Sequence, residues 1–475
     1  MTRSRHSNYA LFAGNADLLV SEGGVTRSTL LDIARRLAAQ ITQPTPNSPV
    51  DRLWLVAVNE PIDFAATLIG CWFANVIPVI TADLQQDALR SLHPAIEGIL
   101  TDIDIATDNL PVIHLSGEKR LGDDTADTGD ARIDQTIENP VFQADATALV
   151  LFTSGSTGDK KRIDKPFFAL FEEVKNLQRQ FGAQVDGLPR RSTVSHFHIY
   201  GFLFNIFWPL HFGHHLCAPS TFYWEQILIE DDQGACIVSS PAHLRLLCGI
   251  AQTHPFAWSK SIIFSSGGPL DKNISLEIQR TIGIAPIEIF GSTETGGIAM
   301  RQQAPANAVP FMPFFNVQLR RNDKGGMEVA SPWVGHTDKW IETGDRIELT
   351  DNGAFFIQGR YDTIVKIAGK RVSLTEMEKT CRDMPEIEEV RIIQYQDELR
   401  ESRGVLAAIV VLSADIEIPQ NAAKRKLVQQ FKTRLKRRFD LVTLPRYWRF
   451  VAALPHNQQG KVTRQLLEET VRDGH

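Results

Sequence analysis

Cysteine is scarce in this chain. Only five of its 475 residues are cysteines, and none of them forms a Cys-x-x-Cys pair. Disulfide frameworks and structural zinc sites need paired or clustered thiols, so neither is expected. We predict instead five small buried thiols in a reducing cytoplasm, at Cys71, Cys217, Cys236, Cys248 and Cys381.

An excess of basic charge and a long apolar run are also absent. The net charge of −6 argues against a general nucleic-acid binder, which needs a basic surface. The best candidate for a membrane span, Phe64–Ile80, contains Asn75 and Pro78 and is shorter than the roughly 18 residues required. Met1–Asn15 lacks the apolar core of a signal peptide. We therefore expect neither a nucleic-acid partner nor a membrane span.

The chain does have the length for two or more domains and the balance of a soluble globular protein, with 43% hydrophobic and 22% charged residues. Leu53–Val58, Ala65–Asn75 and Val76–Ile80 predict strand, helix and strand, the rhythm of a parallel sheet. Further short apolar runs, each followed by a loop with glycine or proline, predict strands that end at a ligand-binding edge: Ala148–Phe152, Ala235–Val238, Ser261–Phe264 and Ile287–Phe290.

The composition and hydrophobic pattern of the sequence change along the chain. Thr101–Asn139 is rich in Asp, Gly and Thr and predicts a loop or linker. Gly325–Gln358 has alternating strands between turn signals, which predicts a β-rich subdomain. A smaller α+β segment follows Gly359, with a long helix predicted at Ala422–Phe439.

The first chemical motif follows the strand predicted at Ala148–Phe152. Its glycines allow tight turns, and its amides and hydroxyls can wrap polyphosphate oxygens. The Gly-Lys-Ser/Thr of a P-loop is missing, which argues against a P-loop ATPase. A plain Ser/Gly turn is the alternative, but the basic residues Lys160–Arg162 favour anion binding. The motif reads Thr153, Ser154, Gly155, Ser156, Thr157 and Gly158.

This motif resembles the phosphate loop of the adenylate-forming superfamily of acyl-CoA synthetases, aryl-CoA ligases and peptide-synthetase adenylation domains. In that family Pro-Lys-Gly usually follows the loop. Here Lys161 matches the lysine, whereas the flanking proline and glycine are absent. The resemblance implies that the chain binds ATP with Mg²⁺ and converts a small carboxylic acid into an acyl-adenylate.

The second motif, His196–Gly201, resembles the segment that lines the acyl pocket in this family. The resemblance implies that His198 lines and gates the pocket, with Tyr200, Gly201 and Phe204 beside it. Without the other motifs, a histidine in an aromatic apolar run is more often a core residue.

The third motif, Ile289–Gly296, matches the family's Tyr/Phe-Gly-x-Thr-Glu. A magnesium ion that bridges phosphate and carboxylate oxygens needs a hard oxygen ligand, and Glu294 supplies one. The resemblance implies that Thr293 donates to the α-phosphate or the substrate carboxylate. Taken alone, Thr-Glu after a strand could be a helix cap. The residues expected to bind the AMP moiety here are Gly267, Gly268, Phe290, Gly291 and Ser292.

The fourth motif has two parts, Thr343–Asp345 and Gly359–Lys366. The resemblance implies that Asp345 holds the two ribose hydroxyls and that Arg360 and Arg371 contact the nucleotide. Asp345 taken alone could be a turn residue.

The fifth motif, Leu454–Arg464, resembles the family's Gly-Lys loop. The resemblance implies that Lys461 reaches the carboxylate and the α-phosphate, where a cation offsets the charge that builds as pyrophosphate leaves. A lysine in such a loop is otherwise solvated and idle.

The resemblance also implies the fold class and the domains. We expect an α/β fold with a large N-terminal domain, residues 1–360, of parallel sheets flanked by helices plus a β-rich subdomain. A small mobile α+β domain, residues 361–475, is expected to rotate about a hinge at Asp362. The rotation would withdraw the catalytic lysine and present a thiol tunnel at Lys366 and Gly369.

The identity of the acid is less constrained. The aromatic residues between His198 and Trp208 favour a flat aryl acid of hydroxybenzoate or hydroxycinnamate type, although core packing accounts for aromatics equally well.

The acceptor has one clue. Lys424–Arg438 holds eight basic and no acidic residues, with Leu427, Phe431 and Leu435 on one apolar stripe. Such a face could dock an acidic acyl carrier protein or the phosphates of CoA, or simply be solvated. The chain most resembles compact family members that load aromatic starters onto carrier proteins in aryl polyene pathways. The alternatives are an acyl-CoA ligase and, from a different class, an inactive relative that serves as a binding subunit.

Overall fold

The computed structural model describes residues 8–20, 24–41, 51–81, 84, 89–105, 110–115, 136–154, 160–217, 219–229, 233–252, 254, 256–305, 307–323, 325–335, 339–360, 364–367, 370–396, 404–457 and 462–473. The chain divides into two compact units, which are Met1–Gln318 with Val329–Ile341, and Leu319–Glu328 with Glu342–His475.

The first unit contains a six-stranded sheet that is parallel except at one edge. In spatial order its strands are β5 (Val112–His114), β4 (Gly98–Thr101), β2 (Leu53–Ala57), β3 (Ile77–Ile80), β7 (Thr147–Ser154) and β8 (Lys160–Pro166). Only the edge strand β8 runs antiparallel to its neighbour. A separate antiparallel pair is formed by β1 (Asn8–Ala10) and β6 (Val141–Gln143).

A second six-stranded sheet of the same unit begins parallel and ends antiparallel. Its parallel strands are β9 (Arg190–Ser192), β10 (Cys236–Ser239), β11 (Ile262–Ser265) and β12 (Ile287–Ser292). The antiparallel strands β13 (Gly296–Arg301) and β14 (Met312–Pro313) follow.

Helices cover these sheets. They are α1 (Arg27–Gln40), α2 (Pro61–Phe73), α3 (Phe167–Val185), α4 (Ile199–Gly201), α5 (Trp208–Phe212), α6 (Trp224–Ile227), α7 (Pro241–Ala251) and α8 (Lys272–Ile282). Phe202–Phe207 is π-helical, and His93–Ala95 and Trp258–Lys260 are 3₁₀ turns.

Local sequence explains where these elements begin and why they are buried. Every residue of β2 is buried, as expected for a parallel strand with both faces covered. The Thr26 hydroxyl caps α1 by accepting from the Thr29 amide, and Asp271 caps α8 through the amides of Asn273 and Ile274.

The second unit is α+β. Most of a four-stranded sheet belongs to it, with β15 (Gln318–Arg321), β16 (Gly326–Ala330), β17 (Ile341–Leu349) and β18 (Phe355–Arg360). The hairpin β19 (Ile364–Ile367) and β20 (Lys370–Ser373) follows, and then a sheet of β21 (Ile387–Tyr395), β22 (Val405–Leu412) and β23 (Tyr447–Phe450). Its helices are α9 (Leu374–Arg382), α10 (Asn421–Leu435) and α11 (Arg464–Asp473), with a 3₁₀ turn at Leu441–Thr443.

The predicted α/β fold class is confirmed, and so are the parallel strands and the β-rich segment. The expectation of a loop at Thr101–Asn139 was wrong in part, because β5 lies within that segment and pairs with β4. The predicted domain boundary, between residues 360 and 361, and the hinge at Asp362 stay predictions, and residues 361–363 lie outside the described residues. All five cysteines are free and buried, as expected.

No helix in the described part of the chain is both long enough and apolar enough to cross a membrane.

Two buried histidines predict acid sensitivity. Burial lowers the pKa of His196 and of His211 to about 4, although each ring is hydrogen-bonded to a backbone carbonyl, of Val58 and Leu11. In the unfolded chain these two histidines have the ordinary pKa of about 6.5, so they become protonated below that pH. The stability that they contribute is therefore complete above pH 6.5 and is lost as the pH falls towards 4, by up to about 1.4 kcal/mol per histidine and pH unit.

The measurement is the urea midpoint of unfolding from pH 7 to pH 4. In a variant with His196→Gln and His211→Gln, the urea midpoint should fall less steeply between pH 7 and pH 4 than in the wild type. Replacement of the exposed His114 by Gln is the control and should keep the wild-type slope. Equal slopes in all three proteins would contradict the assignment.

Candidate active site

The phosphate-loop sequence lies in the hairpin of β7 and β8. Thr153 and Ser154 are the last residues of β7 and pair with Lys161 and Lys160 of β8. The backbone is thus antiparallel on both sides of the loop. Gly155, Ser156, Thr157 and Gly158 lie outside the described residues, as do the side chains of Thr153 and Ser154.

Strand β8 brings Lys161 to the predicted magnesium ligand. The Nζ atom of Lys161 donates to Oε1 of Glu294 at 3.2 Å. Both side chains are partly exposed, so this ion pair contributes little to stability and can open. Burial by itself would raise the pKa of Glu294, but hydrogen bonds from its own backbone amide, Lys161 and Ser292 outweigh it, so the pKa lies below its ordinary value.

The third motif forms a tight turn between β12 and β13. The Ser292 amide donates to Oγ1 of Thr295 at 3.1 Å, and the Thr295 amide donates to Oγ of Ser292 at 3.1 Å. Thr295 is buried, whereas Thr293 and Glu294 at the tip are partly exposed. The helix-cap alternative was therefore wrong, because the turn closes a β-hairpin.

Two residues that the motifs did not single out hold this turn. Nζ of Lys165 donates to the backbone carbonyl of Glu294 at 3.2 Å, and the Gly297 amide donates to Oε1 of Glu173 at 2.6 Å. Both side chains are only 4% exposed. Lys165 is one of several charged residues of β8, and Glu173 is next to Glu172 in α3, so neither stands out in the sequence without the tertiary contacts.

The glycine pair predicted to flank adenine follows β11. Gly267 has a φ of 89°, a conformation that favours glycine. At Gly268 a Cβ would have open space around it, with Pro241 as its nearest neighbour at 4.0 Å. Ser266, just before them, donates to the Ile289 carbonyl at 2.8 Å.

Phe290, the aromatic residue of the third motif, lies in β12. Its ring packs against that of Phe311, with 5.3 Å between the ring centroids. Phe311 is buried, whereas Phe290 is partly buried. The ring of Phe290 is therefore packed against the protein and partly exposed.

The histidine motif divides into a core residue and a partly buried one. His196 is buried, and its ring lies 4.3 Å from that of Phe64. His198 is partly buried, and its carbonyl accepts from the Phe202 amide. Gly201 has no room for a side chain, because a Cβ there would overlap the Ser195 carbonyl.

An aromatic row continues from this motif into the π-helical stretch. The Tyr200 and Phe204 rings lie 4.8 Å apart, and Phe204 also contacts Trp208 at 5.5 Å and Phe264 at 5.1 Å. The Tyr200 hydroxyl is buried, and burial raises its pKa well above the ordinary value. The row therefore joins the predicted pocket residues to the core of the first unit.

The ribose-binding candidates meet within the second unit. Asp345 of β17 is directly opposite Arg360 of β18, and Nη1 of Arg360 donates to Oδ1 of Asp345 at 3.4 Å. The Asp345 amide donates to Oγ1 of Thr343 at 3.2 Å. A carboxylate and a guanidinium are thus presented side by side.

The remaining candidates are not described in full. Asp362, Gly369 and Lys461 lie outside the described residues. Lys366 and Arg371 lie opposite each other in the hairpin of β19 and β20, and their side chains lie outside the described residues.

The residues present fit a nucleotide-bound Mg²⁺. Among the described residues, no group of three or more His, Cys, Asp or Glu side chains could hold a metal ion. Glu294 nevertheless offers a partly exposed carboxylate, and Mg²⁺ is commonly held by one or two carboxylates together with phosphates and water.

Comparison with known proteins identifies the family. A family model described as AMP-binding enzyme matches residues 13–335. The chain is 27% identical over 332 residues to a 4-coumarate–CoA ligase of Rhodobacter capsulatus, which covers 70% of this chain and 78% of the relative. It is 23% identical over 381 residues to a fatty acid–[acyl-carrier-protein] ligase, MmaC, of Mycobacterium marinum, with 70% of each chain covered.

The fold also resembles that of a solved structure. The crystal structure of an ATP-bound RpMatB-BxBclM chimera matches with a TM-score of 0.74 and 19% identity, covering 98% of this chain and 97% of that chain. Since the family model spans well over half of the sequence, the chain belongs to the AMP-binding enzyme family, the adenylate-forming acid ligases.

Proposed function

We propose that the protein activates an aromatic carboxylic acid with ATP and Mg²⁺ and transfers the acyl group to the phosphopantetheine thiol of an acyl carrier protein. The observation that carries the adenylation step is the turn with Thr293 and Glu294, which is fixed beside the strand that follows the phosphate loop. Membership of the AMP-binding family supports the same step.

In the first half-reaction a substrate carboxylate oxygen attacks the α-phosphorus of ATP, and the bond to pyrophosphate breaks. The Thr293 hydroxyl orients the carboxylate or the α-phosphate, and Glu294 is the residue that would hold the metal ion. Mg²⁺ supplies charge neutralisation on the phosphate oxygens. Lys461 adds a cation where negative charge builds in the transition state. Asp345 and Arg360 bind the ribose.

In the second half-reaction the thiol sulfur attacks the acyl carbon, and AMP leaves with the bonding electron pair. A rotation about Asp362 exchanges the segment with Lys461 for the face that includes Lys366 and Gly369. One site then serves two reactions in sequence, because each needs different groups beside the same carbonyl.

The aromatic row supports an aryl acid. Phe204 contacts both Tyr200 and Trp208 by ring edges and tilted faces, and Phe204 and Trp208 are buried. Tyr200, partly buried at the end of this row, is the residue that would contact a flat ring. A relative at 27% identity is named for 4-coumarate, which is an aryl acid.

Helix α10 supports a carrier protein as acceptor. Phe431 and Leu435 are buried, so the opposite face is turned to solvent. Arg434 is paired with Glu386 at 2.6 Å, whereas Arg425, Lys426, Lys436, Arg437 and Arg438 are exposed. A group of exposed positive charges attracts an acidic partner. MmaC, a relative, is named for transfer to an acyl carrier protein.

Two other functions remain to be compared with this one. An acyl-CoA ligase would use the same exposed cations for the phosphates of CoA. An inactive binding subunit would have the same fold but would form no acyl-adenylate.

The proposal first predicts pyrophosphate release with ATP and an aryl acid. We expect hydroxybenzoates or hydroxycinnamates to release pyrophosphate faster than fatty acids of equal carbon number, because a flat ring can pack against the aromatic ring of Tyr200. The measurement is a coupled pyrophosphate assay over both sets of acids. Faster release with fatty acids would overturn the aryl assignment, and no release with any acid would favour the inactive subunit.

A second prediction concerns Lys461. Lys461→Ala should lower the rate of adenylation about 100- to 1,000-fold, because the lysine acts on the charge of that transition state. Thioester formation from a supplied acyl-adenylate should be largely kept. Replacement of the exposed Lys260 by Ala is the control and should affect neither step. An equal loss in both half-reactions would reject this role.

A third prediction separates the acceptors. Reversal of two exposed charges, in Arg437→Glu with Arg438→Glu, should raise the KM for the carrier protein on the order of tenfold, and the effect should shrink as salt is added. The KM for CoA should stay unchanged. The matched control reverses the exposed pair Arg35 and Arg36 on α1. A rise in the KM for CoA instead would favour the CoA ligase, and no change would identify a solvated face.

A further inference from the structure

Two opposite charges are buried beside the turn that presents Thr293 and Glu294. Lys165 is near the end of strand β8, and Glu173 is in helix α3, which follows that strand directly. Each residue is only 4% exposed. Charged side chains are almost never this deeply buried unless they are paired.

The contacts of this pair lead to the backbone of the turn. Lys165 Nζ donates to the carbonyl of Glu294 at 3.2 Å, and Glu173 Oε1 accepts from the amide of Gly297 at 2.6 Å. The two bonds lie on either side of Thr295. A single strand–helix element therefore holds both ends of the segment 294–297.

The space around the carboxylate is equally specific. Gly296 has a φ of 65°, and a Cβ at this position would overlap the carboxylate of Glu173. The glycine thus brings the turn close enough for the amide of Gly297 to reach Oε1. Without Glu173 this amide would lose its partner in a partly buried position, which is costly.

Burial opposes both charges, and each charge supports the other. Desolvation lowers the pKa of Lys165, and the nearby carboxylates of Glu173 and Glu294 work against that change. Desolvation raises the pKa of Glu173 to about 7, against the effects of Lys165 and the Gly297 amide. An apolar pair of similar volume would pack here without that cost, so stability alone does not account for the charges.

The two lysines of β8 have different tasks. Lys161 and Lys165 are four residues apart and so are on the same face of the strand. Lys161 is mostly exposed and contacts the side chain of Glu294, which leaves it able to exchange this partner for a phosphate. Lys165 is buried and contacts the backbone of the same residue, where no exchange is needed.

We propose that Lys165 and Glu173 are positioning residues that clamp the segment 293–297, so that the Thr293 hydroxyl and the Glu294 carboxylate keep their places while the ATP phosphates bind. The pair acts through the backbone of the turn and does not touch the nucleotide. This role rests on the adenylation proposed above.

The test compares four variants with a matched control. Lys165→Met removes the donor, Lys165→Arg keeps a cationic donor, Glu173→Gln keeps an acceptor oxygen, and the double variant Lys165→Met/Glu173→Gln removes both charges. The control is Glu288→Gln, at the far end of the same hairpin. Glu288 is also 4% exposed, and it accepts from Arg301 at 2.8 Å and 3.0 Å.

The kinetic result expected is specific to adenylation. Lys165→Met should lower kcat/KM for ATP in pyrophosphate release about 10- to 100-fold, as small misplacements of catalytic groups do. Lys165→Arg should recover most of the loss, and Glu173→Gln should lie between the two. Thioester formation from a supplied acyl-adenylate should change less than about twofold. The lost contacts act on bound ATP, and ATP takes no part in this second step. Glu288→Gln should keep the wild-type KM for ATP.

The double variant separates a clamp from a structural pair. Removal of both charges should restore the unfolding midpoint that Lys165→Met loses, because no uncompensated charge stays buried. The loss in kcat/KM should persist, because the bond to Glu294 is still missing. A double variant that regains pyrophosphate release together with its midpoint would overturn the proposal, as would an equal kinetic loss in Glu288→Gln.

Hydrogen exchange gives a readout that needs no activity. The amides of residues 293–297 should exchange faster in Lys165→Met than in the wild type. In Glu288→Gln their exchange rates should equal those of the wild type. Unchanged exchange in Lys165→Met would reject the clamp whether or not the protein forms adenylates. A wild type that releases no pyrophosphate with any acid, but shows the faster exchange in Lys165→Met, would reject the proposed function and leave the clamp as a structural fact about the turn.

Discussion

Strand β8 meets the turn between β12 and β13 through two lysines, and the position of the candidate site in the first unit depends on this contact. Lys161 reaches the carboxylate of Glu294, and Lys165 reaches its backbone carbonyl, both at 3.2 Å. The strand belongs to one six-stranded sheet and the turn to the other. The contact therefore connects the sequence after the phosphate loop with the predicted magnesium ligand, which is far away along the chain.

This contact places charge where a folded protein normally excludes it. Parallel strands such as β2 are apolar and buried, and edge strands and turns project from them. Lys165, in the edge strand β8, and Glu173, in helix α3, are charges buried beside this apolar core. Their burial is costly, and the backbone groups of the turn are the partners that compensate for it. The turn of the candidate site is thus held by charged side chains where apolar ones would be less costly to bury.

Much of the fold could be predicted because its signals are local. The apolar runs at Leu53 and Ile287 form strands because parallel strands covered on both faces need continuous apolar sequence. The short strand at Val112 was missed because a polar surrounding resembles a loop, and only pairing with β4 makes it a strand. The helix-cap alternative at Glu294 failed for the same reason, since a turn between paired strands is defined by its partner.

The sequence indicated adenylation through resemblance, because the motifs around Ser154, Glu294, Asp345 and Lys461 follow the order of those in the adenylate-forming superfamily. The sequence did not indicate which residues hold the turn with Glu294 in place, and the folded structure shows them. Burial at Glu173 and the bond from Lys165 join segments far apart in the chain, and no local pattern encodes a contact whose partner is a backbone carbonyl or amide.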